Sequence, residues 1–262
     1  MLDLTKNYCY DPVLRHEIKS LQKNIKLYEL PEKDFVLMKL SAYLQVFINR
    51  INIGFGTIDI VDRLLSLFKG KTLTSIGPHW EGIKWACEKN DVKFDDNGDI
   101  AYIARPNGRD GLLRDVPFDD YEFIIIDEAY SDFCSETLIH HDHTNSIVIK
   151  TFSKSLSIPG IRFAYSISSP EMATILNRMS HRYSMNIVVQ QLIPYTFQLI
   201  LPHIKRMKKT KKFLEDNFPY LPSYANFVRL LDKPSFDVKI AKIDNYYRFT
   251  LIDLHTLKCF QK

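Results

Sequence analysis

One lysine, Lys154, stands in a run of hydroxyl residues that could hold a charged ligand. The segment is Thr151-Phe152-Ser153-Lys154-Ser155-Leu156-Ser157, and Pro159-Gly160 and Arg162 follow it. The apolar stretch 146–150 comes directly before and predicts a buried strand. Open α/β sheets bind their ligands beyond the carboxyl ends of their strands. We therefore predict that Lys154 lies at a ligand site and carries a covalently bound aldehyde cofactor.

Polar or aromatic residues also follow the other predicted strands. They are Gly56 and Thr57, Trp80, Asn107, and the pair Asp127 and Tyr130. Each has a structural alternative: the glycine as a simple turn, Trp80 as a core aromatic, Asp127 as a capping carboxylate. Because strands alternate with helices, we predict a mostly parallel sheet whose carboxyl ends bring these residues to one edge.

This set has the chemistry that pyridoxal 5'-phosphate requires. A lysine amine can bond covalently to an aldehyde and then move protons. A carboxylate can keep a pyridine nitrogen protonated, and an aromatic ring can stack on the pyridine. Hydroxyls, an arginine and a helix N-terminus can bind a phosphate. The sequence therefore predicts pyridoxal 5'-phosphate at this edge of the sheet.

Two motifs resemble those of a known family. Ser153-Lys154 followed by Gly160 and Arg162 resembles the S-K-x5-G-x-R lysine motif of the fold-type I aminotransferases, class I/II. Asp127-Glu128-Ala129-Tyr130 matches the D-E-A-Y motif of the same family, with Lys154 27 residues after Asp127. Within the family, the chain is most similar to the histidinol-phosphate aminotransferase and threonine-phosphate decarboxylase group.

The resemblance implies a role for each candidate residue. It makes Lys154 the Schiff-base lysine, with Asp127 on the pyridine nitrogen and Tyr130 on the phenolic oxygen. The remaining cofactor contacts that it implies are Ser153, Arg162, Gly56 and Thr57 at the phosphate, Trp80 stacked on the ring, Asn107 in the ring loop, and Tyr28 reaching the phosphate of a partner subunit. It implies that Arg248 binds the substrate carboxylate, with Asn226 nearby in a substrate-binding position, and that the protein is a homodimer with shared sites.

The sequence departs from the family pattern in two places. The family loop that carries a ring-contacting asparagine corresponds to Pro106-Asn107-Gly108-Arg109-Asp110-Gly111, and strict alignment puts Gly108 at the asparagine position. We expect Asn107 to take its place after a local shift. The chain is also short for the family, between Trp80 and Ile100 and in the C-terminal part, which leaves less material for a side-chain pocket.

Composition excludes several other classes. The 262 residues are 45% hydrophobic and 25% charged, which is typical of a soluble protein with a substantial core. A net charge of +4 does not indicate a nucleic-acid partner, and the basic run 205–212 is interpreted as a solvated helix face. Four scattered cysteines favour reduced thiols in the cytoplasm.

Neither a membrane segment nor a metal site is expected. The N-terminus lacks an apolar signal core, and no apolar run approaches the roughly 18 residues that span a bilayer. The histidines in 140–143 are adjacent on a polar segment, which favours a surface loop over a metal site.

We predict an α/β fold, a three-layer mostly parallel sheet of the pyridoxal-phosphate transferase fold type I with a small α+β domain. Residues 1–45 are predicted to form an N-terminal arm and helices of the small domain, 46–205 the large cofactor-binding domain, and 206–262 the small C-terminal domain. Predicted helices include 33–50 and a long stretch to about 217, interrupted or kinked near Pro194 and Pro202. Short strands are predicted over 226–231, 236–240 and 246–251.

Three hypotheses for function follow. The first is a pyridoxal-phosphate transaminase that acts on an amino acid or amino-acid-derived amine in amino-acid biosynthesis. The second keeps the cofactor but releases CO2, as a decarboxylase of the threonine-phosphate type. The third is a degenerate homologue that binds cofactor without turnover, which the short chain and Gly108 favour and the intact Lys154, Asp127 and Arg248 oppose.

Overall fold

The computed structural model describes residues 2–27, 33–134, 136–181 and 185–260. Its central sheet contains, in spatial order, β2 (Ile51–Gly54), β8 (Ala164–Ile167), β7 (Ser146–Thr151), β6 (Phe123–Asp127), β5 (Ile100–Ala104), β3 (Thr72–Ser75) and β4 (Lys93–Phe94). The strands from β7 to β4 are parallel, whereas β8 is antiparallel to both β7 and β2. The sheet is therefore mostly parallel, as predicted.

The middle strands are apolar along their length because both faces of the sheet are covered. Every residue of β5, β6 and β7 is buried, as expected for parallel strands between two helical layers. On one face pack α3 (Thr57–Leu65), α4 (Glu81–Lys89) and α6 (Pro170–Met179). On the other pack α1 (Pro12–Gln22), α2 (Lys33–Leu44) and α7 (Ile187–Asn217). The three-layer prediction is confirmed.

The register aligns the ends of neighbouring strands. Ala104, the last residue of β5, pairs with Asp127, the last of β6, and Asp127 pairs with Ile149 of β7. Directly after β7 the chain forms one helical turn, α5 (Phe152–Ser155), capped by the Thr151 hydroxyl. The carboxyl ends of β5, β6 and β7 thus lie side by side, and Lys154 follows the last of them.

A second, smaller sheet carries the C-terminal residues. It contains β12 (Ala241–Ile243), β13 (Tyr246–Thr250), β10 (Phe227–Leu230) and β9 (Tyr220–Leu221), all antiparallel, and α8 (Leu254–Lys258) follows. The predicted strands at 226–231 and 246–251 are confirmed, and the one at 236–240 shortens to β11 (Val238–Lys239). β11 pairs in parallel with β1 (Leu2–Asp3), so the N-terminal residues lie against the C-terminal ones.

Helix α7 departs from its prediction because it continues through Pro194 and Pro202. Of the described helices, it is the one that satisfies length and apolarity criteria for crossing a membrane, which the sequence pattern did not anticipate. Its apolar face is buried against α1, α2 and α8, which is the packing of a core helix. The predicted helix 33–50 is shorter, since α2 ends at Leu44 and a 3-10 turn covers Ile48–Arg50.

The histidine segment differs from the predicted surface loop at one residue. His143 is buried, with its ring nitrogens bonded to the Ser146 hydroxyl and the Leu138 carbonyl, and burial lowers its pKa to about 4. Across the described ranges, no three His, Cys, Asp or Glu side chains converge as metal ligands. The domain boundaries at 45/46 and 205/206 stay a prediction, and the second falls within α7.

Candidate active site

A cavity of about 490 Å³ lies at the carboxyl ends of the parallel strands. Among the residues that line it are Asn7, Tyr8, Thr57, Trp80, Tyr102, Asn107, Gly108, Asp127, Tyr130, Ser153, Lys154, Arg162 and Arg248. Residues far apart in sequence meet here because each follows a strand or belongs to a segment that crosses the sheet edge.

Asp127 provides a buried carboxylate at the end of β6. Its Oδ2 accepts a hydrogen bond of 2.8 Å from the hydroxyl of Tyr102, and its Oδ1 accepts one of 3.0 Å from the Ala129 amide. Burial raises the pKa of Asp127, against these two hydrogen bonds and the nearby Lys154, which lower it. A carboxylate so fixed can hold a cationic ring nitrogen without itself moving.

Lys154 provides an amine that lies against aromatic rings. Its Nζ is 4.1 Å from the ring centroid of Tyr8 and 5.4 Å from that of Tyr130. Burial, followed by the nearby charge of Arg248, lowers the pKa of Lys154 to about 8, against the attraction of Asp127 and Cys9. A substantial fraction of the amine is therefore neutral near physiological pH, as a nucleophile or general base requires.

The predicted phosphate-binding end is formed by the start of α3 and the segment after Lys154. Gly56 is the N-cap of α3 at φ 81, and no side chain caps this helix. A Cβ at Gly56 would lie 2.5 Å from Nη2 of Arg162, so the guanidinium packs directly on the bare backbone. Thr57 and Ser153 add hydroxyls to the same cavity, and together these donors can bind a phosphate.

The ring-contacting loop has an unusual arrangement around Gly108. Asn107 does line the cavity, but its Nδ2 donates to the Pro78 carbonyl and its Oδ1 accepts from the Arg109 amide. Its side chain is thus engaged within the loop. A Cβ at Gly108 would lie 2.7 Å from Cε2 of Tyr130. The ring of Tyr130 therefore occupies the space that a larger residue 108 would use.

Trp80 and Arg248 lie on other walls of the cavity. Trp80 is the N-cap of α4 and is 44% exposed, with its indole packed over Gly82, where a Cβ would lie 2.2 Å from Cζ2. Arg248 projects from β13, and its Nη2 donates 2.6 Å to the Thr5 carbonyl. Its Nε is buried and has no partner among the described residues.

The N-terminal segment 5–8 supplies site residues that the sequence analysis did not identify. Asn7 donates from Nδ2 to the hydroxyl of Tyr130 at 2.9 Å, and Tyr8 covers the Lys154 amine. The signal that could have found them is weak: a polar and aromatic stretch before α1. Tyr102 was also missed. Its hydroxyl, in the otherwise apolar strand β5, is the sequence feature that could have indicated a polar partner.

Not every predicted residue reaches the cavity. Asn226 is fully buried beside it, where its Nδ2 donates 3.1 Å to the Asn7 carbonyl. Gly56 acts through the contact of its backbone with Arg162 rather than as a lining residue. Tyr28 lies outside the described residues. The roles given to the individual residues stay predictions.

Comparisons with known proteins agree with this geometry. Residues 122–253 match the family model of aminotransferase class I and II. The histidinol-phosphate aminotransferase of Pyrococcus furiosus is 25% identical, and the match covers 90% of this chain and 79% of that protein. A histidinol-phosphate aminotransferase of Dehalococcoides mccartyi is 26% identical over 77% of this chain and 68% of that protein.

Solved structures share the fold. The histidinol-phosphate aminotransferase of Clostridium acetobutylicum superposes with a TM-score of 0.77 at 19% identity, over 99% of this chain and 97% of that chain. The histidinol-phosphate aminotransferase of Sinorhizobium meliloti, solved in complex with pyridoxal-5'-phosphate, superposes with a TM-score of 0.79 at 13% identity, over 98% of this chain and 88% of that chain. The L-threonine-O-3-phosphate decarboxylase of Porphyromonas gingivalis superposes with a TM-score of 0.76 at 18% identity, over 99% of this chain and 97% of that chain.

Proposed function

This chain belongs to the aminotransferase class I and II family, and from that premise we propose that it is a pyridoxal-phosphate transaminase in which Lys154 is the reactive amine. It transfers an amino group between an amino acid, or an amine derived from one, and a keto acid or aldehyde. The observation that carries the proposal is that Lys154, Asp127 and Arg248 line one cavity.

The residues present fit pyridoxal 5'-phosphate. The cavity offers an anionic group in Asp127, an amine in Lys154, and hydroxyls and a guanidinium at the uncapped start of α3. The guanidinium of Arg162 packs so closely on Gly56 that a Cβ at this position would collide with it. Position 56 therefore keeps its backbone bare beside the guanidinium. When bound, the cofactor supplies an aldehyde carbon that bonds covalently to amines and a ring that draws electrons from the substrate Cα.

The protein side of the reaction follows from the same groups. Asp127 would hold the proton on the pyridine nitrogen, and Tyr130 would donate to the phenolic oxygen. Ser153, Thr57 and Arg162 would bind the phosphate, and Trp80 would cover the ring. Lys154, whose pKa is lowered to about 8, would take the proton from the substrate Cα at its Nζ and return a proton during the transfer.

The carboxylate of the substrate would bind Arg248. Nη2 of Arg248 now donates to the Thr5 carbonyl, and a carboxylate is the stronger acceptor for a guanidinium. Binding at Arg248 would hold the substrate in the cavity that Lys154 also lines, so that the Lys154 amine could take the proton from the substrate Cα.

The names of the relatives suggest a phosphorylated substrate such as histidinol phosphate. A phosphate needs further cations beside Arg248. Lys6 and Arg109 line the cavity and are the candidates, whereas Lys239 does not line it. Arg109 also pairs with the exposed Asp244 at 3.3 Å, a contact that a phosphate would have to replace. We propose that Lys6 and Arg109 bind an anionic group on the far end of the substrate.

The test is a screen of amino donors with purified protein and added pyridoxal 5'-phosphate. Donors include histidinol phosphate and phosphate-free amino acids, with 2-oxoglutarate as acceptor. We expect visible absorbance from the bound cofactor and formation of keto product or aldehyde, with K6M and R109M raising KM for phosphorylated donors only. Q45G is the control, because Gln45 is exposed after α2 and does not line the cavity.

Each alternative gives a different result in the same screen. Release of CO2 without keto product would indicate a decarboxylase, the activity named for the Porphyromonas gingivalis structure. A bound cofactor with no turnover of any donor would indicate a degenerate homologue. A colourless protein that takes up no cofactor would contradict the proposed function altogether.

We also propose a cytoplasmic homodimer. Exposed aromatic side chains support it: Phe47, before β2, is 80% exposed, and Phe55, beside Arg162, is 45% exposed. Phe55 lies on the side of the predicted phosphate site, whereas Phe47 precedes the opposite end of β2. Exposed rings suit contact with a partner subunit, which would contribute Tyr28. Sedimentation should give twice the chain mass, and F47E should shift the protein toward the monomer.

A further inference from the structure

Asn7, in the N-terminal segment, donates a hydrogen bond to Tyr130, a proposed cofactor ligand. We propose that Asn7 is a positioning residue, which holds the Tyr130 phenol so that its hydrogen is directed at the ring oxygen of the bound cofactor. The inference rests on the function proposed above and assigns a residue that no motif of the sequence identifies. It stands on the hydrogen bonds around Asn7 and on the packing of Tyr130 against Gly108.

The direction of the hydrogen bond to Tyr130 determines where the phenol can donate. Nδ2 of Asn7 donates to the Tyr130 hydroxyl at 2.9 Å and to the Gly108 carbonyl at 3.3 Å. The phenol oxygen is therefore an acceptor toward Asn7, and its own hydrogen must point elsewhere. Tyr130 lines the cavity, so an acceptor inside the cavity can take that hydrogen.

The amide of Asn7 is itself held from behind. Its Oδ1 accepts from the Thr250 hydroxyl at 3.3 Å, and its main-chain carbonyl accepts from Asn226 at 3.1 Å. Asn7 is 4% exposed and has φ 57, a left-handed conformation that asparagine tolerates better than most residues. The Gly108 carbonyl can only accept, so its contact with the amide assigns the nitrogen to the side of Gly108 and Tyr130. The Thr250 hydroxyl does not assign it, because it can donate or accept and lies closer to the Leu4 carbonyl, at 2.9 Å.

The packing of Tyr130 on Gly108 leaves no room for a side-chain amide at position 108, and Asn7 supplies one instead. The ring of Tyr130 packs so closely on Gly108 that a Cβ there would lie 2.7 Å from Cε2. An asparagine at 108 would displace the ring. Asn7 instead approaches with one amide that bonds both the phenol and the Gly108 carbonyl, so that the three residues form one unit.

This arrangement also strengthens Tyr130 as a donor. Burial and, to a smaller extent, the nearby charge of Asp127 raise the pKa of Tyr130 above its ordinary range. The nearby charge of Arg248 and the hydrogen bond from Asn7 lower that pKa. A donor on the phenol oxygen stabilises negative charge there, so the phenol gives a stronger hydrogen bond to an anionic oxygen. Without the donor Asn7, the Tyr130 phenol would give a weaker hydrogen bond to the ring oxygen of the cofactor.

The experiment compares N7G and N7D with the wild type. Glycine removes the amide without strain at φ 57, and aspartate keeps the size but can only accept a hydrogen bond when ionised, which would turn the phenol hydrogen away from the cavity. We expect the affinity for pyridoxal 5'-phosphate to fall about 3- to 10-fold in N7G and more in N7D. The visible absorbance of the bound cofactor changes with pH, and the pH at the midpoint of this change should rise in both variants.

A double variant separates positioning from general structural damage. If Asn7 acts through Tyr130, then N7G adds nothing to Y130F, in cofactor affinity or in the absorbance midpoint. Q45G is the matched backbone control, since Gln45 has φ 55 and is exposed; it should leave both quantities unchanged. Additive losses in the double variant, or an unchanged midpoint in N7G and N7D, would overturn the inference.

A cofactor-free measurement keeps this result distinct from failure of the proposed function. In apo protein labelled with 13C at the tyrosine Cζ, the signal that Y130F removes is that of Tyr130. N7G and N7D should move this signal, and Q45G should not. Wild type without cofactor uptake would refute the proposed function, whereas a signal of Tyr130 that is insensitive to both Asn7 variants would refute this inference alone.

Discussion

Two lysines four residues apart, the buried Lys150 and the half-buried Lys154, have opposite surroundings. Lys150 lies within β7, where its Nζ bonds to the Ser131 hydroxyl and, at 2.9 Å, to Asp132. Burial alone would lower the pKa of Lys150, but the charges of Asp132 and Glu128 outweigh it and raise the pKa. Lys154 lies one turn beyond the strand against two aromatic rings, and its pKa falls to about 8.

The difference shows that position relative to the strand end decides what a lysine can do. A lysine inside the sheet is surrounded by fixed side chains and needs carboxylates to balance its charge. A lysine just past the end enters the cavity, where a ligand can supply the balance. Asp127, the last residue of β6, and Lys154, three residues after β7, meet at this edge of the sheet.

The largest effect is expected for Lys154. K154A should reduce amino transfer by at least about 10⁴-fold, because covalent capture of the cofactor and proton transfer at the substrate Cα are lost together. The visible absorbance of the bound cofactor should disappear as well. Thermal stability should not fall, since Lys154 makes no ion pair among the described residues and the burial of its charge is unfavourable below about pH 8. Retained transamination in K154A would contradict the assignment.

The reverse pattern is expected for Lys150. K150M should lower the free energy of unfolding by about 3 kcal/mol or more, because the buried carboxylates of Asp132 and Glu128 lose their counter-charge. Urea denaturation measures this loss. Activity per folded molecule should stay within a few-fold of the wild type, and a stable but inactive K150M would reverse the two roles.

The pKa of Lys154 predicts a pH dependence. Only the neutral amine attacks the aldehyde, so the rate of cofactor capture by apo protein should rise about tenfold per pH unit below pH 8 and level off above it. Between about pH 8 and 10.5, the unfolded state keeps a proton on Lys154 that the folded state has lost. The contribution of Lys154 to stability therefore increases with pH across that window.

Stopped-flow absorbance at several pH values measures the capture rate. A free lysine derivative is the reference, and its rate should rise to well above pH 9. A midpoint for the protein near 10 would mean that burial and Arg248 do not depress the pKa of Lys154.

Sequence patterns were sufficient for the strand-end residues. Asp127 ends a short apolar strand, and Lys154 and Thr57 lie three residues beyond the ends of theirs. Local periodicity therefore indicates where they lie, and the sheet brings the strand ends together. The mostly parallel sheet was predicted from the alternation of strands and helices, whereas the fold-type I architecture was implied by the resemblance of the Asp127 and Lys154 motifs to the aminotransferase family. Helix α7 was less predictable, because tertiary packing keeps it continuous through Pro194 and Pro202, where local propensity predicts a break.

The N-terminal contribution was not predictable from local patterns. Asn7 meets Tyr130 across 123 residues of sequence, and the pairing of β1 with β11 that brings it there joins the two ends of the chain. Strands of two residues carry almost no periodicity. Nor does a pattern reveal that Gly108 leaves its space to the Tyr130 ring, because that is a matter of side-chain packing.

The smallest effect tests how this N-terminal segment tunes Lys154. The ring of Tyr8 lies 4.1 Å from Nζ of Lys154, and a π face stabilises the cation by about 0.5–1 kcal/mol. Y8L keeps the apolar cover but removes the π face, so the midpoint of cofactor capture should fall below pH 8 by roughly half a pH unit. Y8F keeps the ring and should match the wild type. A midpoint that rises in Y8L would mean instead that Tyr8 acts by excluding water, since access of water to Nζ restores the ordinary, higher pKa of a lysine.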